Sequence, residues 1–62
     1  MSLASLKIAI AEKLEKEQLN EAYDLSRSVG LYDLSEDIAD LIYCPDDEYQ
    51  EFRKSIIDGL RK

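Results

Sequence analysis

Carboxylates are the side chains through which this chain could do chemistry, and eight of them are clustered in the sequence. Between Arg27 and Arg53 there are eight acidic residues and no Lys or Arg. They are Asp33, Glu36, Asp37, Asp40, Asp46, Asp47, Glu48 and Glu51. A surface with one sign of charge steers oppositely charged molecules toward itself. The pattern therefore indicates a surface that binds a basic partner.

Tyrosines stand among these carboxylates. A tyrosine ring supplies contact area with a polar tip, and tyrosine is enriched at the energetic centres of interfaces. Tyr23 and Tyr49 are expected to face the core, whereas Tyr32 and Tyr43 fall at helix ends, where a ring is half exposed. We predict a partner-binding site of two tyrosines and six carboxylates: Tyr32, Asp33, Glu36, Asp37, Asp40, Tyr43, Asp47 and Glu51.

The alternative explanation is a solvated surface without a partner. Acidic residues stabilise helix N-termini, and outward charges maintain solubility. This explains the carboxylates at predicted helix starts. It does not explain Asp37, Asp40 and Glu51, nor the lack of Lys or Arg four residues away, the spacing at which exposed helices commonly place compensating charges.

Catalysis is not expected, because the groups that usually perform it are missing. The chain has no His and one Cys, and its two glycines are isolated, so no phosphate-binding loop is present. A chain this small can hardly enclose a cleft that separates the environments of two carboxylates. Asp33, Asp37 and Asp40 lack the spacing of a calcium loop. We expect no enzyme, no cofactor and no metal site.

The single cysteine, Cys44, has no partner for an internal disulfide and no His to activate it. We expect a small, partly buried thiol. A dimer-forming or reactive role is the alternative.

Net charge and hydropathy limit the classes of partner and the cellular location that we expect for this chain. The charge is −6 and the pI about 4.4, so no basic stripe exists to neutralise nucleic-acid phosphates or anionic lipid head groups. No apolar run approaches the ~20 residues of a membrane span, and the N-terminus lacks the layout of a signal peptide. These features predict a cytoplasmic protein.

The composition of 45% apolar and 35% charged residues predicts one folded domain over residues 1–62. A chain of this length has a thin stability margin of roughly 3–5 kcal/mol. Its apolar residues recur at helical spacing throughout, and no segment alternates like a strand. The connections are short, which favours neighbouring antiparallel helices. The sequence predicts an all-α domain of three to four short helices, orthogonal or bundle-like.

The first two helices are predicted from two separate apolar stripes. Leu3, Leu6, Ile10 and Leu14 define a helix over residues 2–15, and a second stripe starts at Leu19. A tight turn near residues 16–18 or one kinked helix could join them, and we favour the turn. Gly30 is expected to end the second helix in the left-handed conformation.

The third and fourth helices flank Pro45. Asp33 and Glu36 have the spacing of a capping box that would open the third helix, which should end near Tyr43, before Pro45. Pro45 is expected in the first turn of the fourth helix, and Gly59 could end that helix early. The predicted buried residues are Leu34, Ile38, Leu41 and Ile42 on the third helix and Tyr49, Phe52, Ile56 and Leu60 on the fourth, with Ile57 beside them.

One segment resembles a known family. The run from Asp40 to Asp47, with Asp40, Ile42, Tyr43 and Pro45, is similar to the tyrosine-containing helix of the immunity proteins that neutralise nuclease-type colicins and pyocins. Cys44 stands where that family has a second tyrosine. The resemblance implies a four-helix acidic protein that covers the DNA-binding surface of a basic nuclease, with Asp40 and Tyr43 as contact residues.

Three functions follow as hypotheses. The first is a regulatory or inhibitory protein–protein interaction module that docks its acidic, tyrosine-bearing surface onto a basic protein. The second is a nuclease immunity protein or, more loosely, a DNA mimic. The third is a structural homodimer, indicated by Ile8, which points away from the apolar stripe of the first helix.

Overall fold

The computed structural model describes residues 2–62, and within that range the chain forms helices and no strand. The helices are α1 (Leu3–Glu15), α2 (Leu19–Ser28), α3 (Tyr32–Ile42) and α4 (Asp46–Arg61). Helix α1 packs against α2 and α4, and α3 packs against the same two helices, so the four form a closed ring. The predicted compact all-α fold is confirmed.

Helices α1 and α2 are separate, as predicted, because a Schellman turn ends α1. The N–H of Gln18 donates to the carbonyl of Lys13 at 2.9 Å, and the N–H of Glu17 donates to that of Leu14 at 3.1 Å. Glu17 has a φ of 60°, the left-handed conformation that this turn requires. At the other end of α1, the Ser2 hydroxyl accepts the N–H of Ser5 at 3.2 Å.

The corner between α2 and α3 repeats this geometry. The N–H of Leu31 donates to the carbonyl of Ser26 at 2.8 Å, and Gly30 has a φ of 82°. The predicted left-handed glycine is therefore confirmed. The residues that enter the next helix, Gln18 and Leu31, have nearly identical backbone angles of −87°, 67° and −88°, 66°. The same type of turn therefore joins α1 to α2 and α2 to α3.

The predicted capping box is wrong. Helix α3 begins at Tyr32, Leu31 is its N-cap, and no side chain caps it. The Schellman turn places Leu31 directly before the helix, so Asp33 already lies in the first turn, where its charge still favours the helix dipole.

Two details of α4 also differ from expectation. Pro45 is the N-cap of α4 rather than a first-turn residue, and the helix continues through Gly59 to Arg61. Packing of Leu60 against the core holds the last turn in place, although glycine itself disfavours it.

The core contains one or more residues from every helix, and it differs from the prediction at the N-terminal end of α1 and in the phase of α4. Ile10, Leu14, Ile38 and Leu41 are fully buried, and Ile57 and Leu60 are nearly so. In α1, however, Leu3 is 54% exposed, because it lies at the end of the helix beyond the reach of the core. Ile8 is exposed, as predicted.

In α4 the buried row is rotated from the predicted one. Ile57, which was placed beside the stripe, is buried, whereas Phe52 and Ile56 only pack against the edge of the core. Arg53, one position after Phe52, lies on the inward side of the same helix and donates to the carbonyl of Leu14 at 3.1 Å.

Helix α3 is held unequally by its two neighbours. It packs extensively against α2, and each of these two helices fully buries a serine, Ser26 and Ser35. Each hydroxyl donates within its own helix, to the carbonyls of Tyr23 and Tyr32 respectively. Against α4, α3 packs least of all the neighbouring pairs. The side of α3 that faces α4 is therefore the open one.

Candidate functional site

The predicted carboxylates all lie on the surface. Helix α3 exposes four of them, and the N-terminal half of α4 exposes the other four. We call this surface the acidic face; it consists of Asp33, Glu36, Asp37 and Asp40 on α3 and Asp46, Asp47, Glu48 and Glu51 on α4.

No ion pair compensates the acidic face within residues 2–62. The two ion pairs of that range are Lys13 with Glu21, at 3.6 Å, and Arg61 with Glu15. Both lie outside the acidic face, and α3 contains no Lys or Arg. The carboxylates of the acidic face therefore give this surface a negative potential that no ion pair within residues 2–62 neutralises.

The residues of α3 that border its buried row lie on two opposite flanks of that row. Ser35 and Tyr32 lie toward one flank of the buried row, and Leu34 and Asp37 lie toward the other. Glu36, Asp40 and Tyr43 follow one another at helical spacing on the outer surface between these flanks.

Tyr43 is the most exposed of the large apolar or aromatic side chains, at 87%. It is the C-cap of α3, so its ring projects from the end of the helix rather than onto the core. Its neighbour at helical spacing, Asp40, is also exposed. The structure thus leaves the ring of Tyr43 available for contact, as the sequence predicts for a helix-end tyrosine.

Tyr32 is 58% exposed but has an intramolecular partner. The guanidinium of Arg27 lies 5.4 Å from the centre of its ring and 5.7 Å from that of Tyr23. A cation over an aromatic face is attracted by the ring quadrupole. The Schellman corner brings Arg27, five residues away in sequence, over this ring, so one cation stands at the edge of the acidic face.

Tyr49 packs against the core, as expected, and is not part of the surface site. Burial raises the pKa of its hydroxyl, and the nearby Glu17 carboxylate raises that pKa further, while the Arg53 charge lowers it. The Arg53 guanidinium lies 5.8 Å from the centre of the ring.

A groove between α3 and α4 adjoins the acidic face. One part is a cavity of about 350 Å³ lined by Leu34, Asp37, Phe52, Ser55, Ile56, Gly59 and Leu60. Past Phe52 and Ser55 it continues into a second cavity, which Cys44, Glu48 and Glu51 also line. We call the two together the α3–α4 groove. Two residues of the predicted site, Asp37 and Glu51, therefore line the same groove.

The remaining predicted residues are placed around this groove. Asp33 and Asp40 lie one helical turn on either side of Asp37. Asp47 lies one turn before Glu51, at the start of α4. Glu36, Tyr43 and Tyr32 lie farther round α3 and do not line the groove.

Sequence reasoning missed the apolar part of the groove because it assigned Phe52 and Ile56 to the core. The signal was present in two features of α4. Its apolar residues cover more of the helix circumference than one buried row needs, and Gly59 lies inside the helix, where glycine costs about 1 kcal/mol relative to alanine. Both features are explained when one side of α4 borders an open groove.

Cys44 is a partly buried free thiol at one end of the groove, which agrees with the expectation. Partial burial raises its pKa, and the carboxylates of Glu48, Asp47 and Asp46 raise it further. A thiol with a raised pKa stays protonated at neutral pH, and the protonated form is a poor nucleophile. The surroundings of Cys44 therefore do not activate it.

Within residues 2–62, no three His, Cys, Asp or Glu side chains are grouped so that they could hold a metal ion. In the same range, no helix combines the length and the apolar character that crossing a membrane requires. No protein-family model matches the chain, and no curated protein or solved structure is significantly similar to it.

Proposed function

We propose that this chain is a small protein–protein interaction module that docks its acidic face onto a basic partner and thereby regulates or inhibits that partner. The observation that supports the proposal is the uncompensated charge of α3. Its four carboxylates are exposed, none forms an ion pair within residues 2–62, and the exposed ring of Tyr43 lies at the end of the same helix.

Electrostatics favours a protein over a nucleic acid as the partner. Helices α2 and α3 are joined by a short glycine-containing turn, as in the helix-turn-helix motif, whose second helix enters the DNA major groove. A DNA-binding helix needs Lys or Arg to neutralise phosphates. Helix α3 has neither and carries four carboxylates, so it would repel the DNA backbone.

The nuclease immunity function is the second candidate. It is favoured by the exposure of Asp40 and Tyr43, the two residues that the resemblance implies as contacts. A basic nuclease would be one member of the class of partners proposed above.

A homodimer has a specific apolar patch in its favour and a charge argument against it. Leu3 and Ile8 are both exposed and line one cavity with Lys7, Arg61 and Lys62. Burying these two side chains against a second copy would be favourable. A symmetric contact, however, would bring the same three cations of both copies together.

The test is affinity capture with three forms of the chain as bait. They are the parent, the double variant Asp37→Lys with Asp40→Lys, and a charge-matched control with Glu12→Lys and Asp24→Lys. All four substituted residues are exposed, and those of the control lie on α1 and α2, outside the acidic face.

The proposal predicts a basic protein that the parent and the control retain and the Asp37/Asp40 variant does not. Circular dichroism confirms that each bait is folded. Equal retention by all three baits, or retention of no protein by the parent, would contradict the proposal.

A further inference from the structure

The floor of the α3–α4 groove is apolar. Leu34 from α3 and Phe52, Ile56 and Leu60 from α4 line the cavity of about 350 Å³. Leu34, Phe52 and Ile56 are only partly buried, so each offers apolar surface to a partner. Gly59 widens the groove, because a Cβ atom placed there would meet no atom within 4 Å.

Carboxylates stand on both sides of the groove, and on the α4 side Lys54 and Lys62 lie beside them. Asp37 stands on the α3 side, with Asp33 and Asp40 one turn before and after it. Glu48 and Glu51 stand on the α4 side. An apolar floor with Asp37 on one side and Glu48 and Glu51 on the other is complementary to a ligand with an apolar centre and cationic edges.

We propose that the α3–α4 groove binds a basic amphipathic helix of the partner, with its apolar side on the floor and its Lys and Arg residues against Asp37, Glu48 and Glu51. This inference rests on the proposed function, since it specifies how the basic partner is held. From Glu48 to Gly59 the groove follows α4 for about 17 Å, the rise of eleven residues or three turns. Three turns supply the i, i+3, i+4 and i+7 anchors by which helices occupy such grooves.

A helix suits the groove better than an extended peptide does. One way of binding an extended peptide, the addition of a strand to an exposed sheet edge, is not open to residues 2–62, because they contain no strand. The walls of the groove are side chains of two helices, whose surfaces accept the ridges of a third helix.

The competing occupant is a second copy of this chain. Its α1 carries Leu3 and Ile8 with Lys7 between them, which is itself an apolar and basic helix surface. Only two exposed apolar side chains stand on this patch, fewer anchors than the floor of the groove offers. We therefore assign the groove to a partner helix and treat the second copy as an outcome of the test.

The test fills the groove without weakening the fold. Gly59→Leu places a side chain in the open space at Gly59 and also raises helix propensity, so the variant should be at least as stable as the parent. Gly59→Ala is the matched control, because it improves the helix and leaves most of the groove open. Thermal unfolding of both variants verifies their stability.

The probes are two synthetic peptides of about 14 residues with the same Leu and Lys content. One places Leu at helical spacing, and the other has the order scrambled so that no apolar side forms. Calorimetric titration measures their affinity for the parent, for both Gly59 variants and for the Asp37→Lys, Asp40→Lys variant.

The inference predicts that the amphipathic peptide binds the parent about tenfold or more tightly than the scrambled one. Gly59→Leu should remove this preference and Gly59→Ala should keep it. If both peptides bind equally and only the charge reversal weakens them, the acidic face binds cations but the groove does not take a helix. That result overturns the inference and leaves the proposed function standing.

Other outcomes separate the two proposals further. If neither peptide binds the parent, the inference is contradicted, and the proposed function is then decided by the affinity capture described above. If the amphipathic peptide binds and the charge reversal has no effect, the groove stands and the acidic face fails. If the chain alone sediments as a dimer that Gly59→Leu converts to a monomer, a second copy occupies the groove and the inference is wrong.

Discussion

Arg53 joins α4 to the end of α1, and its removal should destabilise the fold. One terminal nitrogen of its guanidinium donates to the carbonyls of Leu14 and Glu15, at 3.1 and 3.5 Å, and the other donates to Gln50 at 2.8 Å. These two carbonyls belong to the last turn of α1, where the helix dipole favours a cation. We therefore expect Arg53→Met, which keeps an apolar stem, to lower the free energy of unfolding.

The magnitude follows from the contacts. A hydrogen bond from a charged donor is worth about 1.5–3 kcal/mol, and a cation at a helix C-terminus adds about 0.3–1 kcal/mol. Two features reduce the sum. The carbonyl of Leu14 keeps the N–H of Glu17 as a donor, and the buried Nε of Arg53 has no partner, so its removal relieves a cost. We predict a net loss of about 2 kcal/mol, which is about half of the margin expected for this chain length.

The assay is urea unfolding followed by circular dichroism. With an m-value of about 1 kcal/mol per M, the midpoint should fall by about 2 M. Arg53→Lys should be intermediate, since it keeps the charge and loses the planar fork. Lys54→Met, at the exposed next position, is the control and should stay within about 0.5 kcal/mol of the parent. The reasoning is refuted if Arg53→Met unfolds like the parent.

Three further predictions concern the core, the corners and the thiol. Ile38→Ala should cost about 2–5 kcal/mol in urea unfolding and Phe52→Ala clearly less, because the Phe52 ring borders the groove; equal losses would place Phe52 in the core. Gly30→Ala should lower the free energy of unfolding by about 1 kcal/mol, and Glu17→Gly should raise it by about 0.5–1 kcal/mol, because both positions have the left-handed conformation. Thermal unfolding measures both changes, and changes of the opposite sign would contradict the prediction. Alkylation of Cys44 should follow a pH profile with its midpoint above that of an unperturbed cysteine, because burial and nearby carboxylates raise the pKa and keep the thiol protonated until the pH exceeds it; a midpoint below that of an unperturbed cysteine would show an activated thiol.

The fold was predictable because its signals are local. Helical apolar spacing, Gly30 and Pro45 each act within a few residues, and they placed all four helices to within one or two residues. The errors arose where a distant contact decides the outcome. Spacing alone did not show that the turn after α2 places Leu31 directly before a helix that starts at Tyr32. Nor did it show that Ile57 is buried on the side of α4 where Arg53 reaches the carbonyl of Leu14.

The candidate site was predictable in its charge and not in its shape. Exposure of Asp33, Asp37, Asp40 and Tyr43 followed from helical spacing against the buried row. The groove depends on how loosely α3 and α4 pack, and the cation over Tyr32 depends on the corner between α2 and α3. Neither the packing of two helices nor the path of a long side chain across a turn can be read from local spacing.

The central claim is that the acidic face docks a basic partner, and its most direct test is the rate of association with the protein that affinity capture identifies. Stopped-flow measurements at low and high salt would compare the parent, the Asp37→Lys, Asp40→Lys variant and the charge-matched Glu12→Lys, Asp24→Lys control. Steering by exposed charges raises association rates by about tenfold or more and is screened by salt. We predict a large loss of rate for the Asp37/Asp40 variant at low salt, a smaller loss for the control, and convergence of all three at high salt. Equal association rates for the parent and the Asp37/Asp40 variant at both salt concentrations would contradict the claim.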